Sequence, residues 1–269
     1  MNLEAMKERI KNDEETKDLK LTPSDILIVN RYLDIKGKVI DGYKAKLIKE
    51  PYIEIVYLPT KETKDFLAKE NLKRNLKLFN SDVYLQEASL NDFSLFNTER
   101  KEAINQIKEF ISNYEDKLLP KGFYIYGKYG TGKTYLVSAI AHELAKKNVQ
   151  VLIVFMPDLV RTVRQGITDG NLEEKINELK QVEVLIMDDI GGENMTSWFR
   201  DEILLPILQY RLSARLTTFF TSNLPMSELV KNFSQDRNNQ LDYVKAMRVI
   251  RRINDLTTYL KLDSEQFKK

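Results

Sequence analysis

The sequence predicts an α/β fold, a parallel sheet flanked by helices, with a small N-terminal α+β domain ahead of it. Three observations carry this. Downstream of Pro120, short apolar segments alternate with helical ones, the pattern of a parallel sheet covered on both faces. A glycine-rich loop, Gly-Lys-Tyr-Gly-Thr-Gly-Lys-Thr at 127–134, joins one of those segments to a helix. Before about residue 90 the texture differs, with charge-dense helical stretches around one segment rich in β-formers.

The elements follow in order. Leu3, Met6 and Ile10 form one apolar stripe on an otherwise solvated helix within the first 18 residues. Thr22-Pro-Ser-Asp25 is a helix start, with Thr as cap, Pro at the first helical position and Asp in the first turn. The helix would run over 26–33, and Gly37 and Asp41-Gly42 mark turns. Residues 52–58 read as a strand ending at Pro59, and 61 to about 78 as a basic helix. These make up a first domain, 1–88. The second, 89–269, opens with an amphipathic helix over about 98–114. Strands are expected at 122–126, 149–155, 182–187 and 217–221, with a helix over 135–147. The boundary falls near 80–95, where no Pro/Gly-rich linker marks it.

Composition narrows the function classes. A formal charge of +2 argues neither for nor against nucleic acid, so any DNA contact must come from local clustering. The absence of cysteine excludes disulfides and thiolate zinc sites, and the lone His142 cannot build an imidazole cluster. The charged N-terminus lacks the apolar core of a signal peptide. No stretch approaches the roughly 18 apolar residues of a membrane span. A soluble, cytoplasmic protein with no membrane partner is expected.

The strongest motif is Gly-x-x-x-x-Gly-Lys-Thr, carried by Gly127, Gly132, Lys133 and Thr134, between an apolar strand and a helix. Loop N–H groups and the helix N-terminus can surround phosphate oxygens, with Gly130, Thr131 and Tyr135 in the same cradle. Lys133 offers a point charge to the β- and γ-phosphates, and Thr134 a hydroxyl to Mg²⁺. The chain therefore reads as a P-loop ATPase. At 184–189, Val-Leu-Ile-Met-Asp-Asp is an apolar strand that delivers two carboxylates to its C-terminal end, where open α/β sheets bind ligands. Asp188 would hold Mg²⁺, and Asp189 would orient or deprotonate the attacking water. Asn223 ends another apolar strand and could meet the γ-phosphate or the attacking water; equally, it could be a turn residue before Leu224-Pro225. Arg248, Arg251 and Arg252 share one side of a helix, as a phosphate-contacting row or a solvated basic face. Trp198 and His142 read as packing residues.

Residues 90–256 resemble the bacterial helicase loaders of the DnaI/DnaC group of AAA+ ATPases, and the DnaI branch above all. The resemblance rests on the loop at 127–135, on Asp-Asp-Ile-Gly-Gly-Glu at 188–193 and on Thr-Ser-Trp-Phe-Arg-Asp-Glu at 196–202. It continues through Ile-Leu-Gln-Tyr-Arg at 207–211, Thr-Phe-Phe-Thr-Ser-Asn at 218–223 and Lys-Ala-Met-Arg-Val-Ile-Arg-Arg-Ile at 245–253. It implies an AAA+ sheet order, Asn223 as the sensor-1 residue, and Arg252 as an arginine finger reaching the ATP of an adjacent subunit, with Arg248 the other arginine of that motif. Lys268 is the candidate for the sensor-2 position. It also implies self-association in the ATP-bound state, a hexameric replicative helicase docked through the N-terminal domain, and single-stranded DNA as ligand.

One departure stands out. DnaI-type N-terminal domains carry a zinc site of cysteines and a histidine, and this chain has none of those ligands in residues 1–90. No zinc is carried over. The alternative is a transposition helper ATPase of the related IstB type. That group runs Glu-Leu-Gly-Tyr after the aspartate, where this chain has Ile190-Gly-Gly and then Thr-Ser-Trp, which favours the loader.

Overall fold

In a computed structural model, the structure describes residues 2–79, 88–114, 121–169, 172–192, 195–234 and 242–263. The chain divides into two compact units, Met1–Glu70 and Asn71–Lys269.

The first unit holds two helices and a three-stranded antiparallel sheet. Helix α1 (Leu3–Lys11) is capped by the Asn2 side chain, which accepts from the Ala5 N–H. Helix α2 (Pro23–Ile35) begins with a reciprocal capping box between Thr22 and Asp25, as the sequence predicts. Strands β1 (Val39–Ile40), β2 (Tyr43–Ile48) and β3 (Glu54–Pro59) follow. Asp41 and Gly42, both at positive φ, form the two-residue turn that pairs Ile40 with Tyr43. Ile10, Ile26, Val29, Tyr32 and Leu47 make the core, so this unit is held by apolar packing without thiolates. A buried Thr16 hydroxyl donates to Ile10 O, and Lys36 pairs with Asp13 at 2.7 Å.

Helix α3 (Lys61–Asn75) leads to β4 (Leu76–Phe79), and here the structure departs from the sequence reading. Residues 76–79 are not the end of a helix; they pair in parallel with Val151–Phe155, strand β6. The two compact units part at 70/71, ahead of β4, because a strand hydrogen-bonded to the second sheet belongs to that unit.

The second unit is a six-stranded parallel sheet in the order β4-β6-β7-β8-β5-β9. The remaining strands are β5 (Gly122–Tyr126), β7 (Val184–Asp188), β8 (Thr217–Ser222) and β9 (Thr257–Lys261). Successive side chains face opposite layers. Ile125, Ile153, Ile186 and Phe219 pack beneath α4 (Thr98–Ser112) and α5 (Lys133–Lys146). Tyr124, Leu152, Leu185 and Phe220 face the other layer. That layer holds α6 (Met156–Asp169), α7 (Leu172–Gln181), a π-helical turn at Phe199–Leu204 running into α8 (Leu205–Ala214), α9 (Met226–Ser234) and α10 (Tyr243–Leu256). Burial on both faces explains why these strands read as unbroken apolar runs. Among the described residues, no helix is long and apolar enough to cross a membrane.

Two buried arginines tie the second layer together. Arg211, fully buried, donates to the carbonyls of Val182 (2.7 Å) and Thr217 (2.6 Å) and to Thr218 Oγ1 (2.8 Å), fixing the turns into β7 and β8. Arg200 pairs with Asp201 at 2.7 Å and Asp242 at 3.2 Å and donates to Phe233 O. It thereby joins the π-helical turn, the end of α9 and the cap of α10. Buried guanidinium groups need such full sets of acceptors, since an unpaired buried charge costs about 3–5 kcal/mol.

Candidate active site

Strands β7, β8 and β5 are neighbours, so their C-terminal ends bring Asp188 and Asp189, Asn223 and the loop at 127–134 side by side. The loop turns sharply off β5. Gly127 packs so tightly on the chain after β9 that a Cβ there would sit 1.9 Å from Leu262 O. Gly132, at φ 92°, is the left-handed cap of α5, a conformation that favours glycine. A cleft of about 300 Å³ opens over this loop. Gly130, Gly132, Lys133 and Thr134 line one side; Asp189, Thr221 and Asn223 line the other; Tyr129 and Phe155 complete it.

Lys133 is 8% exposed and fully engaged. Its Nζ donates to Gly127 O, Lys128 O and Asn223 Oδ1, each at 2.8 Å. Burial pushes its pKa below the usual lysine value, against the opposing pull of Asp189, Asp188 and Asp263. An ammonium held by neutral dipoles in a desolvated cleft gains most from an anion, which is what a phosphate supplies.

Asp188 is buried and accepts hydrogen bonds from Thr134 Oγ1 (3.0 Å) and from Thr221 Oγ1. A hydroxyl and a carboxylate beside a phosphate cradle are hard oxygen donors that fit Mg²⁺, an ion that takes few protein ligands and completes its shell with phosphate oxygens and water. No group of three or more His, Cys, Asp or Glu suited to a metal occurs among the described residues.

Asp189 sits at φ 61°, a left-handed conformation that Asp and Asn tolerate better than other side chains. Its N–H donates to Thr221 Oγ1 at 2.8 Å, and its Oδ1 accepts from Asn223 Nδ2 at 2.8 Å. Asn223 therefore bridges the lysine and the carboxylate, its oxygen toward Lys133 and its nitrogen toward Asp189. Asn223 thus turns its side chain toward the cleft residues at the end of β8. Burial raises the Asp189 pKa above its ordinary value, with Lys133 and Asn223 pulling the other way.

The remaining sequence candidates lie elsewhere. Tyr135 turns away from the cleft, stacking on Phe93 at 6.2 Å with its hydroxyl donating to Ser89 O. His142 is buried, its Nδ1–H donating to Ala88 O, and burial lowers its pKa, so it packs as a neutral ring. Arg252 does not line its own cleft; its Nε donates to Gln209 Oε1 on α8. With Arg248, Arg251, Val244 and Met247 it lines a separate groove along α10. Lys268 and Glu193 lie outside the described residues. The sequence reading missed Thr221, whose hydroxyl serves both aspartates. Its signal was present: it is a polar residue at the end of an apolar strand, two before Asn223.

Comparisons with known proteins place the chain in a family. The family model described as IstB-like ATP binding protein matches residues 67–255. The replicative helicase loader DnaI of Bacillus subtilis (strain 168) is 32% identical, with 98% of this chain and 92% of that protein aligned. The replicative helicase loader DnaC of Escherichia coli (strain K12) is 27% identical over 131 residues, 48% of this chain and 52% of DnaC. A crystal structure of DnaI superposes with a TM-score of 0.63 at 36% identity, covering 74% of this chain and all of that one. The chain belongs to the DnaI/DnaC family of helicase loaders, within the AAA+ ATP-binding proteins.

Proposed function

We propose that this chain binds the replicative DNA helicase through its N-terminal unit and places it on single-stranded DNA during replication initiation or restart. The observation that carries this is the extent of the likeness to a helicase loader. It runs over 98% of the chain and so includes the N-terminal unit, not the ATPase region alone. The apolar core around Val29 and Tyr32 gives that unit a packed body of its own, as a docking module needs.

The cleft would hydrolyse ATP slowly. Lys133 and the loop N–H groups bind the phosphates, and Asp189, held by Asn223, orients and deprotonates the attacking water. Thr134 and Asp188 would hold Mg²⁺, which when bound neutralises charge on the β- and γ-phosphate oxygens. Arg252, outside its own cleft, would act on the ATP of a second copy, so that turnover depends on self-association. Arg252→Ala is then expected to retain ATP binding and lose the rise of specific turnover with protein concentration. Loss of DNA binding alone would instead make Arg252 a residue of a basic face.

The deciding experiment is light scattering after gel filtration of the chain mixed with its host's replicative helicase and ATP. The expected result is a complex containing the helicase hexamer that is lost on deleting residues 1–70. The deletion must stop there, because β4 at 76–79 is part of the ATPase sheet. The family model starts only at residue 67, which leaves the IstB-type transposition helper as the second reading. Failure to form the complex with ATP, with ADP and without nucleotide would favour that reading.

A further inference from the structure

Arg100, in the first turn of α4, is 2% exposed, although no motif contains it. Its Nε donates to Ser94 O at 2.6 Å and its Nη1 to Thr131 O at 2.8 Å. The guanidinium lies over the Phe93 ring, 4.0 Å from its centroid, and 4.9 Å from that of Phe96. One planar group thus binds two carbonyls and stacks on two rings, a combination open to arginine and closed to lysine.

The phosphate loop rests on this platform. A Cβ built on Gly132 would meet Phe93 Cε2 at 3.3 Å and Arg100 Nη2 at 3.7 Å. Next in the chain, Glu99 accepts from the Asp263 N–H at 2.7 Å, one residue after the Leu262 carbonyl that packs on Gly127. The start of α4 therefore holds the loop at Thr131 and also the chain after β9 that packs on Gly127. The bond to Thr131 O matters most. In a trans peptide the C=O and the following N–H point in opposite directions. Holding the Thr131 carbonyl therefore fixes which way the Gly132 N–H points, and Gly132 lines the cleft.

We propose that Arg100 is a positioning residue for ATP: it orients the Thr131–Gly132 peptide so that the loop's N–H groups converge on phosphate, and it locks the segment 89–97 to the loop as one body. This rests on the reading of the cleft as an ATP site. Any displacement of 89–97, the stretch leading into the ATPase helices, would then change nucleotide affinity.

The test compares wild type, Arg100→Met and Arg100→Lys at a temperature where circular dichroism shows all three folded. ATP affinity is measured by calorimetry, and amide exchange is followed in the nucleotide-free protein. Arg100→Met is expected to weaken ATP roughly tenfold, the loss usual when a group that orients a ligand is removed. Arg100→Lys, able to reach one carbonyl but not both, falls between. In both variants the amides of 130–134 should exchange faster while those of β6 and β7 do not change. Wild-type affinity with unchanged exchange at 130–134, or acceleration spread evenly over the sheet, would overturn the proposal. If Arg100→Met does not fold, Arg100→Lys carries the same comparison. A wild type that binds no ATP would sink the ATP reading instead, while the exchange pattern would still decide the role of Arg100.

Discussion

Lys133→Ala is expected to lower ATP turnover by roughly 10²–10³-fold, the effect of removing one preorganised charge from a phosphate clamp. It should also remove the stabilisation that ATP confers on the fold. The argument starts from how the amine is held. All three of its N–H donors are satisfied, by Gly127 O, Lys128 O and Asn223 Oδ1, and none of those partners is charged. Desolvation depresses its pKa, more than Asp189, Asp188 and Asp263 raise it, so the ionised amine is held at a cost that a further anion would relieve. A triphosphate would supply that charge. A ligand at 100 times its Kd raises folding stability by about 2.7 kcal/mol. Wild type should therefore melt at a higher temperature with ATP, and Lys133→Ala should melt at the same temperature with and without it. Turnover unchanged from wild type would end the assignment of the loop as the ATP site.

The parts of the molecule that were legible in the sequence share one property: each is specified by neighbours in the chain. The strand at β7 shows as five apolar or acidic residues because both faces are buried, and its terminal Asp188 stands where sheets bind ligands. The loop at 127–134 needs glycine at defined positions, which a single sequence displays. What was missed depends on distant partners. Leu76-Lys-Leu-Phe79 follows a helix without Gly or Pro, and only its pairing with β6 makes it a strand. Its Lys77 pairs with Glu178, 101 residues away. Strand β9 likewise follows α10 with no breaker; the Thr257 hydroxyl bonds back to Ile253 O as the chain turns into the strand. The buried roles of Arg100 and Arg211 were not visible because their acceptors are backbone carbonyls brought in from other elements. Pattern reading sees side-chain period and charge; it does not see a carbonyl waiting for a donor.

Asp189→Asn should separate catalysis from stability in opposite directions. Turnover is expected to fall by roughly 10²–10⁴-fold, the range for loss of a positioned general base, while ATP affinity stays near wild type because Asp189 is not part of the phosphate loop. The substitution is close to isosteric, and Asn tolerates the left-handed backbone at this position as Asp does. The Asn223 amide can still donate to the new carbonyl oxygen, so the bridge to Lys133 survives. Stability follows from the raised pKa of the native carboxyl. A group whose folded pKa lies above its unfolded value favours the fold below the unfolded pKa and loses that contribution as pH rises through the folded pKa. Ionising wild-type Asp189 works against its buried surroundings, a cost the amide does not carry. The variant should therefore melt above wild type at a pH above the raised pKa, and the gap should close as the pH is lowered through it. The same titration sets the acid limb of wild-type turnover: activity falls as pH drops through a value above the ordinary 3.8 of aspartate, and the residual rate of the variant lacks that limb. Melting curves and initial rates at matched pH check all three statements. A variant with wild-type turnover would remove Asp189 from the chemistry. A variant less stable than wild type at a pH above the raised pKa would mean that Lys133 and Asn223 outweigh the cost of burying the carboxylate.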